Sequence, residues 1–253
     1  GLKDAHISRL PEEDRYLVAE GPEVVKRLIA SSLAIRSILI SPNRIESMKA
    51  ALSTVTCPVY TAERDVMNDV VGFDLHRGVI AAAARPRWVT IDKVLSRRPN
   101  NGRRHVLAMF EGMSDHENLG AIARSARAFG VDAMILDRRC ADPYYRRSVR
   151  VSMGEILLLP IVRDEVHEIV ARVRSLDGQT LALTPARDAH DLRRLKLGDA
   201  GPLVLLLGAE GSGLTDDSLA SADLRVRIPI ADDVDSLNVG HAVAAALAII
   251  GDS

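Results

Sequence analysis

The sequence feature that most constrains this fold is a five-residue apolar run that ends at a glycine. Residues 203–207 read Leu-Val-Leu-Leu-Leu, and the next seven residues, Gly208-Ala-Glu-Gly-Ser-Gly-Leu, include three glycines. A short apolar run bounded by glycines is typical of a strand buried on both faces of a parallel sheet. Ligands of open α/β sheets bind at the carboxyl ends of such strands, so residues 207–214 are predicted to wrap a small molecule.

The glycine spacing does not match two common phosphate-binding patterns. A P-loop needs a lysine directly after its second glycine, and Leu214 stands at that position. A dinucleotide fingerprint needs a third glycine three residues after the second, where this chain has Asp216. A nicotinamide-dependent oxidoreductase is therefore only a distant alternative for the function of the chain. For the glycine stretch itself, a plain tight turn without a ligand is the alternative interpretation.

A second polar stretch supports a site near the carboxyl end. The residues Asp235-Ser236-Leu237-Asn238 precede an apolar segment at 239–250 that is predicted to be a helix. Asp235 or Ser236 is expected to cap this helix, because a side-chain oxygen can accept an orphan backbone N–H. Asn238 has no packing role in this interpretation, so it is a candidate site residue.

The rest of the chain is predicted to form two domains joined by a basic linker. Residues 1–84 alternate short strand-like and helix-like pieces, and residues 105–253 begin with another apolar strand. Between them, residues 85–104 hold seven arginines and lysines against one acid, with two prolines and a glycine. Such a run is either a solvated connector or a surface that tracks RNA phosphates, with Trp88 available to stack on a base. Residues 156–161 are predicted to be a strand.

Composition excludes several classes of protein. The formal net charge is −1, so an RNA-binding surface must come from local clusters of basic residues. The chain has two cysteines, which form neither a disulfide framework nor a zinc-binding spacing, and no metal is expected. No window reaches the roughly 18 apolar residues of a membrane helix, and the first residues do not read as a signal peptide. A cytoplasmic location is expected.

Three motifs resemble those of one enzyme family. The sequence Gly208-Ala-Glu-Gly-Ser-Gly-Leu, then Ile228-Pro-Ile, then Ser236-Leu-Asn-Val is similar to the paired carboxy-terminal motifs of the SpoU (TrmH) branch of the SPOUT RNA methyltransferases. Asn118, Gly120 and Arg124 match that family's first motif in the same order. Residues 18–22 and 75–81 resemble parts of the small RNA-binding domain, similar to ribosomal protein L30e, that precedes the catalytic domain in many relatives.

The resemblance implies a particular α/β architecture. Residues 105–253 would form the SpoU methyltransferase domain, with a parallel sheet and a deep trefoil knot that holds the cofactor, a feature that periodicity alone would not predict. Residues 1–84 would form the L30e-like RNA substrate-binding domain, and residues 85–104 the basic linker. The family also implies a homodimer whose active site is completed across the interface.

The resemblance further implies a cofactor and a set of site residues. The cofactor is S-adenosyl-L-methionine, which would be held by residues of the carboxy-terminal motifs and one earlier strand end: Leu183, Thr184, Gly208, Glu210, Gly211, Ile228, Ile230 and Leu237. The catalytic set would be Arg124, Asn118, Glu210, Ser236 and Asn238. RNA would contact arginines of the first domain, the linker and a later basic cluster: Arg77, Arg85, Arg87, Arg146, Arg147 and Arg150.

The implied reaction is methylation of a ribose 2′-hydroxyl in rRNA or tRNA, with a slight preference for rRNA. Because a guanidinium is almost always protonated, Arg124 would either lose a proton in a dehydrated site or clamp a phosphate while another group takes the proton. The sequence leaves both roles open. The alternative from another class is a non-catalytic RNA-binding protein that retains the SPOUT fold.

Overall fold

The computed structural model describes residues 7, 9–11, 14–100, 102, 104–198 and 200–251. The strands within these residues are β1 (Tyr16–Glu20), β2 (Ile35–Ile40), β3 (Val59–Thr61), β4 (Val79–Ala84), β5 (Val106–Glu111), β6 (Ala133–Leu136), β7 (Ile161–Arg163), β8 (Gln179–Leu183), β9 (His190–Asp191), β10 (Leu203–Gly208) and β11 (Leu224–Arg227). The α-helices are α1 (Pro22–Ala30), α2 (Pro42–Leu52), α3 (Arg64–Val71), α4 (Ile91–Leu95), α5 (His116–Ala128), α6 (Arg146–Val151), α7 (Val166–Arg174), α8 (Asp216–Ser221) and α9 (Val239–Gly251). By their contacts, the residues divide into two compact units.

The first unit consists of Gly1–Arg87 together with Asp142–Leu158. Its four strands form a mixed sheet in the order β1-β4-β2-β3, in which β4 is antiparallel to both neighbours and β2 is parallel to β3. Helix α1 begins at Pro22, where the missing N–H of proline costs no hydrogen bond. Buried side chains of β1, β4 and α3, among them Val18, Ile80 and Met67, form a core cluster of this unit.

The segment Asp142–Leu158 belongs to the first unit, although the sequence analysis placed it in the second domain. Helix α6 packs against β1 and buries Ser148 and Val149. Arg146 Nη1 lies 3.4 Å from Glu20 Oε2, so an ion pair also ties the segment to β1. The predicted domain boundary at residue 105 therefore does not account for this inserted segment. The local sequence of the segment does not specify which of the two hydrophobic cores it packs against.

The strand predicted at residues 156–161 is wrong. Residues Glu155–Leu157 form a short 3₁₀-helix, and strand β7 begins only at Ile161. The turn before the 3₁₀-helix has Met153 and Gly154 at positive φ, which ends helix α6 and reverses the chain.

The second unit consists of Trp88–Ala141 and Leu159–Ser253 and is built on a seven-stranded sheet. The strand order is β7-β6-β5-β10-β8-β11-β9, and every pairing is parallel. The apolar run at 203–207 is the central strand, β10, and is fully buried. The α/β class with a parallel sheet is thus confirmed, as is the buried strand that the glycine-bounded run predicts.

Residues 88–100 do not form a free linker. Val89 forms a parallel bridge with Val162, and Ile91 and Val94 of α4 are buried in the core of the second unit. The basic residues therefore alternate with apolar residues that pack in the core of the second unit. Asn101 and Arg103 lie outside the described residues.

Trp88, which the sequence analysis offered as a platform for an RNA base, faces an arginine of its own unit. Its ring centroid lies 5.1 Å from the guanidinium carbon of Arg163. The same guanidinium donates to the carbonyl of Asp137 at 2.6 Å and to that of Cys140 at 3.1 Å. The ring thus covers a group that fixes the loop after β6.

Within the described residues, no helix combines the length and the apolar character that crossing a membrane requires.

Candidate active site

A cavity of about 520 Å³ opens at the carboxyl edge of the parallel sheet in the second unit. It lies where β8 and β10 end and where the segments after β11 return before α9. Its wall is formed by four stretches of chain: Leu183, Thr184 and Pro185; Leu207, Gly208, Ala209, Glu210, Gly211 and Gly213; Ile228 and Ile230; and Asp235, Ser236, Leu237, Asn238, Val239 and Ala242. Cofactor and ligand cavities have volumes of about 300–1,000 Å³, so this one has the size for such a molecule.

The cavity brings together residues that the sequence analysis assigned to cofactor binding from stretches far apart in the chain. All eight of them line it: Leu183, Thr184, Gly208, Glu210, Gly211, Ile228, Ile230 and Leu237. Three of the five predicted catalytic residues also line it: Glu210, which belongs to both predicted sets, Ser236 and Asn238. That these residues bind a cofactor stays a prediction. Cofactor binding requires them to lie around one cavity, and they do.

The stretch 208–214, called the glycine loop below, turns back on itself. Ala209 and Gly213 form an antiparallel bridge in which the Gly213 N–H donates to the Ala209 carbonyl at 2.9 Å. Gly211 and Gly213 adopt positive φ of 85° and 69°, which favours glycine. A Cβ on Gly208 would overlap with the backbone of Gly213 and Leu214. Gly208 is therefore required by the return of the loop itself, whereas the sequence analysis attributed the small residues to close approach of a ligand.

Asn238 joins three segments of the second unit. Its Nδ2 donates to Glu210 Oε1 at 2.9 Å and to Asn118 Oδ1 at 3.1 Å. Its Oδ1 accepts from the Gly240 N–H at 2.9 Å, and its carbonyl accepts from Ala242 N–H. Asn238 is thus the N-cap of α9, and the expectation that Asp235 or Ser236 fills that role is wrong. The same side chain caps the helix with its oxygen and bridges two predicted catalytic residues with its nitrogen.

The side chain of Asn118 can accept from Asn238 because a different residue caps helix α5. Asp115 Oδ1 accepts from the Asn118 N–H at 2.8 Å, and the Asp115 carbonyl accepts from Leu119 N–H. Asp115 is therefore the N-cap of α5. The amide of Asn118 projects from the first turn towards Asn238.

Arg124 lies on α5 without reaching the cavity of its own chain. Its side chain is exposed, and neither it nor Asn118 is among the described residues that line the cavity. Helices α5 and α9 pack together, and a Cβ on Gly240 would lie 3.6 Å from Ala121 Cβ. Since residues three apart share a helix face, Arg124 follows Ala121 on the side of α5 that is next to α9.

A buried polar network beneath the glycine loop was missed by the sequence analysis. Glu111, at the end of β5, is 6% exposed and accepts from both the N–H and the hydroxyl of Thr215 at 2.9 Å. Arg139 Nη2 donates to Glu111 Oε1 at 2.9 Å, and Arg139 Nε donates to Asp137 Oδ2 at 3.0 Å. The signal was weak, because Glu111 and Thr215 are 104 residues apart.

The second acid of this network is held in its charged form. Burial alone would raise the pKa of Asp137, but hydrogen bonds from the Gly112 N–H, Cys140 and Arg139 outweigh it, so the pKa lies below its usual value of 3.8. Asp137 is 1% exposed. It orients Arg139 towards Glu111.

The arginines predicted to contact RNA fall into two groups in the first unit. Arg77, Arg87, Arg147 and Arg150 are exposed. Arg85 pairs with Asp142 and lies over the Tyr144 ring at 5.4 Å, and Arg146 lies over the Phe73 ring at 3.7 Å besides its ion pair with Glu20. The last two thus have packing roles that sequence reasoning did not foresee.

Three of these arginines surround a small cavity. It has a volume of about 270 Å³ and is lined by Tyr145, Arg146, Arg147 and Arg150. Three guanidinium groups with one tyrosine ring make a surface suited to phosphate and base contacts. Contact with RNA stays a prediction for all six arginines.

The described residues contain no cluster of three or more histidine, cysteine, aspartate or glutamate side chains arranged to hold a metal ion.

Comparison with known sequences identifies the protein family to which this chain is similar. The model of the SpoU rRNA Methylase family matches residues 105–248. A chain named as an uncharacterized tRNA/rRNA methyltransferase of Mycobacterium tuberculosis is 42% identical over 242 residues, which cover 94% of this chain and 81% of that relative. A 23S rRNA (guanosine-2′-O-)-methyltransferase of Vibrio parahaemolyticus is 30% identical over 184 residues, 71% of each chain.

Comparison with solved structures extends the likeness to both units. The AdoMet-bound rRNA methyltransferase of Sinorhizobium meliloti superposes with a TM-score of 0.75 at 27% identity, covering 94% of this chain and 87% of that one.

Proposed function

Because this chain belongs to the SpoU rRNA methylase family, we propose that it transfers a methyl group from S-adenosylmethionine to a ribose 2′-hydroxyl in rRNA or tRNA. The observation that carries the proposal is the cavity at the carboxyl edge of the parallel sheet. Four separate stretches converge there, and Asn238 on the cavity wall joins Glu210 of the glycine loop to Asn118 of α5 by hydrogen bonds.

The cavity suits this cofactor in size and chemistry. Its wall combines apolar side chains such as Leu207, Ile228 and Ile230 with the backbone of a glycine-rich turn, as a ligand with an apolar ring system and polar edges requires. Residues Leu183, Thr184, Gly208, Gly211 and Leu237 would complete the binding surface. When bound, S-adenosylmethionine supplies a methyl group already activated by its sulfonium.

The chain's own contribution is to position the acceptor ribose. Glu210 and Asn118 present oxygen atoms to Asn238 Nδ2, and Ser236 lies on the same wall. These groups form a polar rim at the mouth of an apolar cavity, where ribose hydroxyls can replace solvent. Holding the reacting atoms in line supplies much of the acceleration in such a transfer.

We assign Arg124 to the phosphate next to the methylated ribose. Its side chain is exposed, so of the two roles left open by the sequence the charged clamp is the better supported. A guanidinium at that position also stabilises the negative charge that develops on the attacking oxygen. Because Arg124 does not line its own cavity, we propose that it serves the cavity of a second copy of the chain in a homodimer.

A mixing experiment tests this arrangement. Arg124→Ala and Gly208→Val variants, each inactive alone, should regain activity when unfolded and refolded together, since one mixed site then has an intact cavity and an intact arginine. The mixture stays inactive if Arg124 acts within its own chain. A monomer by light scattering would also contradict the proposal.

We further propose that the first unit, including the L30e-like part and the basic helix α6, binds the RNA. The exposed arginines Arg77, Arg87, Arg147 and Arg150 support this, because guanidinium groups bind phosphates in bidentate fashion. We also infer that the two carboxy-terminal motifs are threaded as a knot, because both line the same cavity at the sheet edge. We further infer a cytoplasmic location, where rRNA and tRNA are found.

Ribose methylation mapping tests the function in cells. RNA from cells lacking this protein should lose one 2′-O-methyl group in rRNA or tRNA, and the wild-type gene should restore it. An unchanged methylation map would contradict the proposal and favour the non-catalytic RNA-binding alternative.

A further inference from the structure

Glu111 is a buried charged residue that lies outside the cavity wall. It ends β5, and its side chain is 8% exposed. Removing a carboxylate from water is costly unless it is paired and hydrogen-bonded. Its three donors, the Thr215 N–H, the Thr215 hydroxyl and Arg139 Nη2, all lie 2.9 Å from its oxygens.

The position of Glu111 in the sheet makes it a neighbour of both ends of the glycine loop. In the parallel pairing of β5 and β10, Glu111 is in register with Gly208, where the loop begins. Its carboxylate binds Thr215, the first residue after the loop. One residue therefore fixes the start of the loop through the strand ladder and its end through the side chain.

The network around Glu111 keeps its carboxylate aimed at Thr215. Arg139 contacts Oε1, and Asp137 in turn holds Arg139 Nε at 3.0 Å. Asp137 is fixed by the Gly112 N–H at 3.0 Å. The orientation of the carboxylate is thus imposed from the end of the neighbouring strand, β6, and does not depend on the cavity.

We propose that Glu111 is a positioning residue that clasps the glycine loop into the shape that binds the cofactor. Thr215 is the other half of the clasp. The loop between them carries Glu210, so the clasp also sets where Glu210 meets Asn238. The inference rests on the proposed function, since it assumes that the cavity binds S-adenosylmethionine.

The test is a Glu111→Gln variant of the full chain, titrated with S-adenosylmethionine by calorimetry. The amide keeps the shape but has a single acceptor oxygen, so it cannot hold both donors of Thr215. Losing a hydrogen bond to a charged group should raise the cofactor Kd about tenfold. In methyl transfer the KM for cofactor should rise similarly, while kcat at saturating cofactor stays within about twofold, because bound cofactor holds the loop and Glu210 in their wild-type positions.

Companion variants separate the clasp from general damage. Thr215→Val removes the hydroxyl donor at an exposed position and should also weaken cofactor binding, whereas Thr215→Ser should restore it. The double variant should be no weaker than the worse single variant, because both remove one interaction. Ser221→Ala removes the hydrogen bond from Ser221 Oγ to the Ser218 carbonyl in the same helix, contacts neither Glu111 nor Thr215, and should leave the Kd unchanged.

Hydrogen exchange gives a readout that overall stability does not determine. Without cofactor, amides at 209–214 should exchange faster in Glu111→Gln, while amides of β5 and β10 keep wild-type protection. If Glu111→Gln does not fold, the Thr215→Val and Thr215→Ser pair decides.

Two failures are distinguishable. A wild-type protein that binds S-adenosylmethionine, with Thr215→Val binding equally well, overturns the clasp and leaves the proposed function intact. A wild-type protein that does not bind S-adenosylmethionine overturns the proposed function itself.

Discussion

Replacing Asn238 by serine separates the two roles of this side chain. Asn238 Oδ1 caps α9 through the Gly240 N–H at 2.9 Å, while Nδ2 bridges Glu210 and Asn118 at 2.9 and 3.1 Å. Serine supplies an oxygen that is favoured at an N-cap, but its short hydroxyl does not span to both partners. The cap should persist and the bridge should be lost.

The magnitudes follow from these contacts. Serine and asparagine are about equal as N-caps, whereas alanine costs about 1 kcal/mol, which lowers the unfolding midpoint by about 2–4 °C in a chain of this size. Asn238→Ala should therefore melt lower than the wild type, and Asn238→Ser should not. Each lost hydrogen bond at this exposed site is worth about 1 kcal/mol, or about fivefold, so two bonds predict a fall in kcat/KM for RNA of about 5- to 30-fold in both variants.

The assay compares methyl transfer into RNA with thermal unfolding for the two variants and the wild type. Asn238→Ser should lose activity while it keeps the wild-type unfolding midpoint. Wild-type transfer by Asn238→Ser would refute the bridging role. An activity loss in each variant that tracks only its midpoint would show that Asn238 acts through the helix cap alone.

Three further predictions concern the cavity and its support. Arg124→Ala should abolish methyl transfer with cofactor affinity unchanged by calorimetry, because Arg124 is not part of the cavity wall; normal turnover would contradict its assignment. Gly208→Val should raise the cofactor Kd by more than about tenfold, because any Cβ overlaps with the returning loop, and equal affinity would refute that geometry. Asp137→Asn should destabilise the protein at pH 7 by about 1–3 kcal/mol. A lowered pKa stabilises the fold above the pKa of the unfolded chain, so this difference should shrink as the pH falls below 3.8 in denaturant titrations, and a constant difference would contradict the shift.

The central strand of the second unit, β10, could be predicted because its signal is local. The run that forms β10 is apolar at every position and ends at a glycine, and a strand buried on both faces needs no partner to be identified. The cavity residues came from motif resemblance, which carried information about which distant stretches meet. Composition and spacing alone predicted a ligand at residues 207–214, but they did not identify it.

What the sequence did not reveal depends on three-dimensional partners. The cap of α9 is Asn238 because the helix begins at Val239, two residues later than a cap at Ser236 and three later than a cap at Asp235 would place its start, and end positions of helices are decided by such single contacts. The segment Asp142–Leu158 joins the first unit through its packing on β1, which no local pattern encodes. Glu111 reads as an ordinary acid after a strand until Thr215 is found beside it.

Labelled transfer on purified protein decides whether this chain methylates a ribose hydroxyl. The protein is incubated with S-adenosylmethionine that carries a tritiated methyl group and with rRNA or tRNA from cells lacking it, and the RNA is then hydrolysed in alkali. A 2′-O-methyl group blocks cleavage of the adjoining phosphodiester, so the label should appear in alkali-resistant dinucleotides. Label in mononucleotides, or no incorporation by a protein that binds the cofactor, would contradict it.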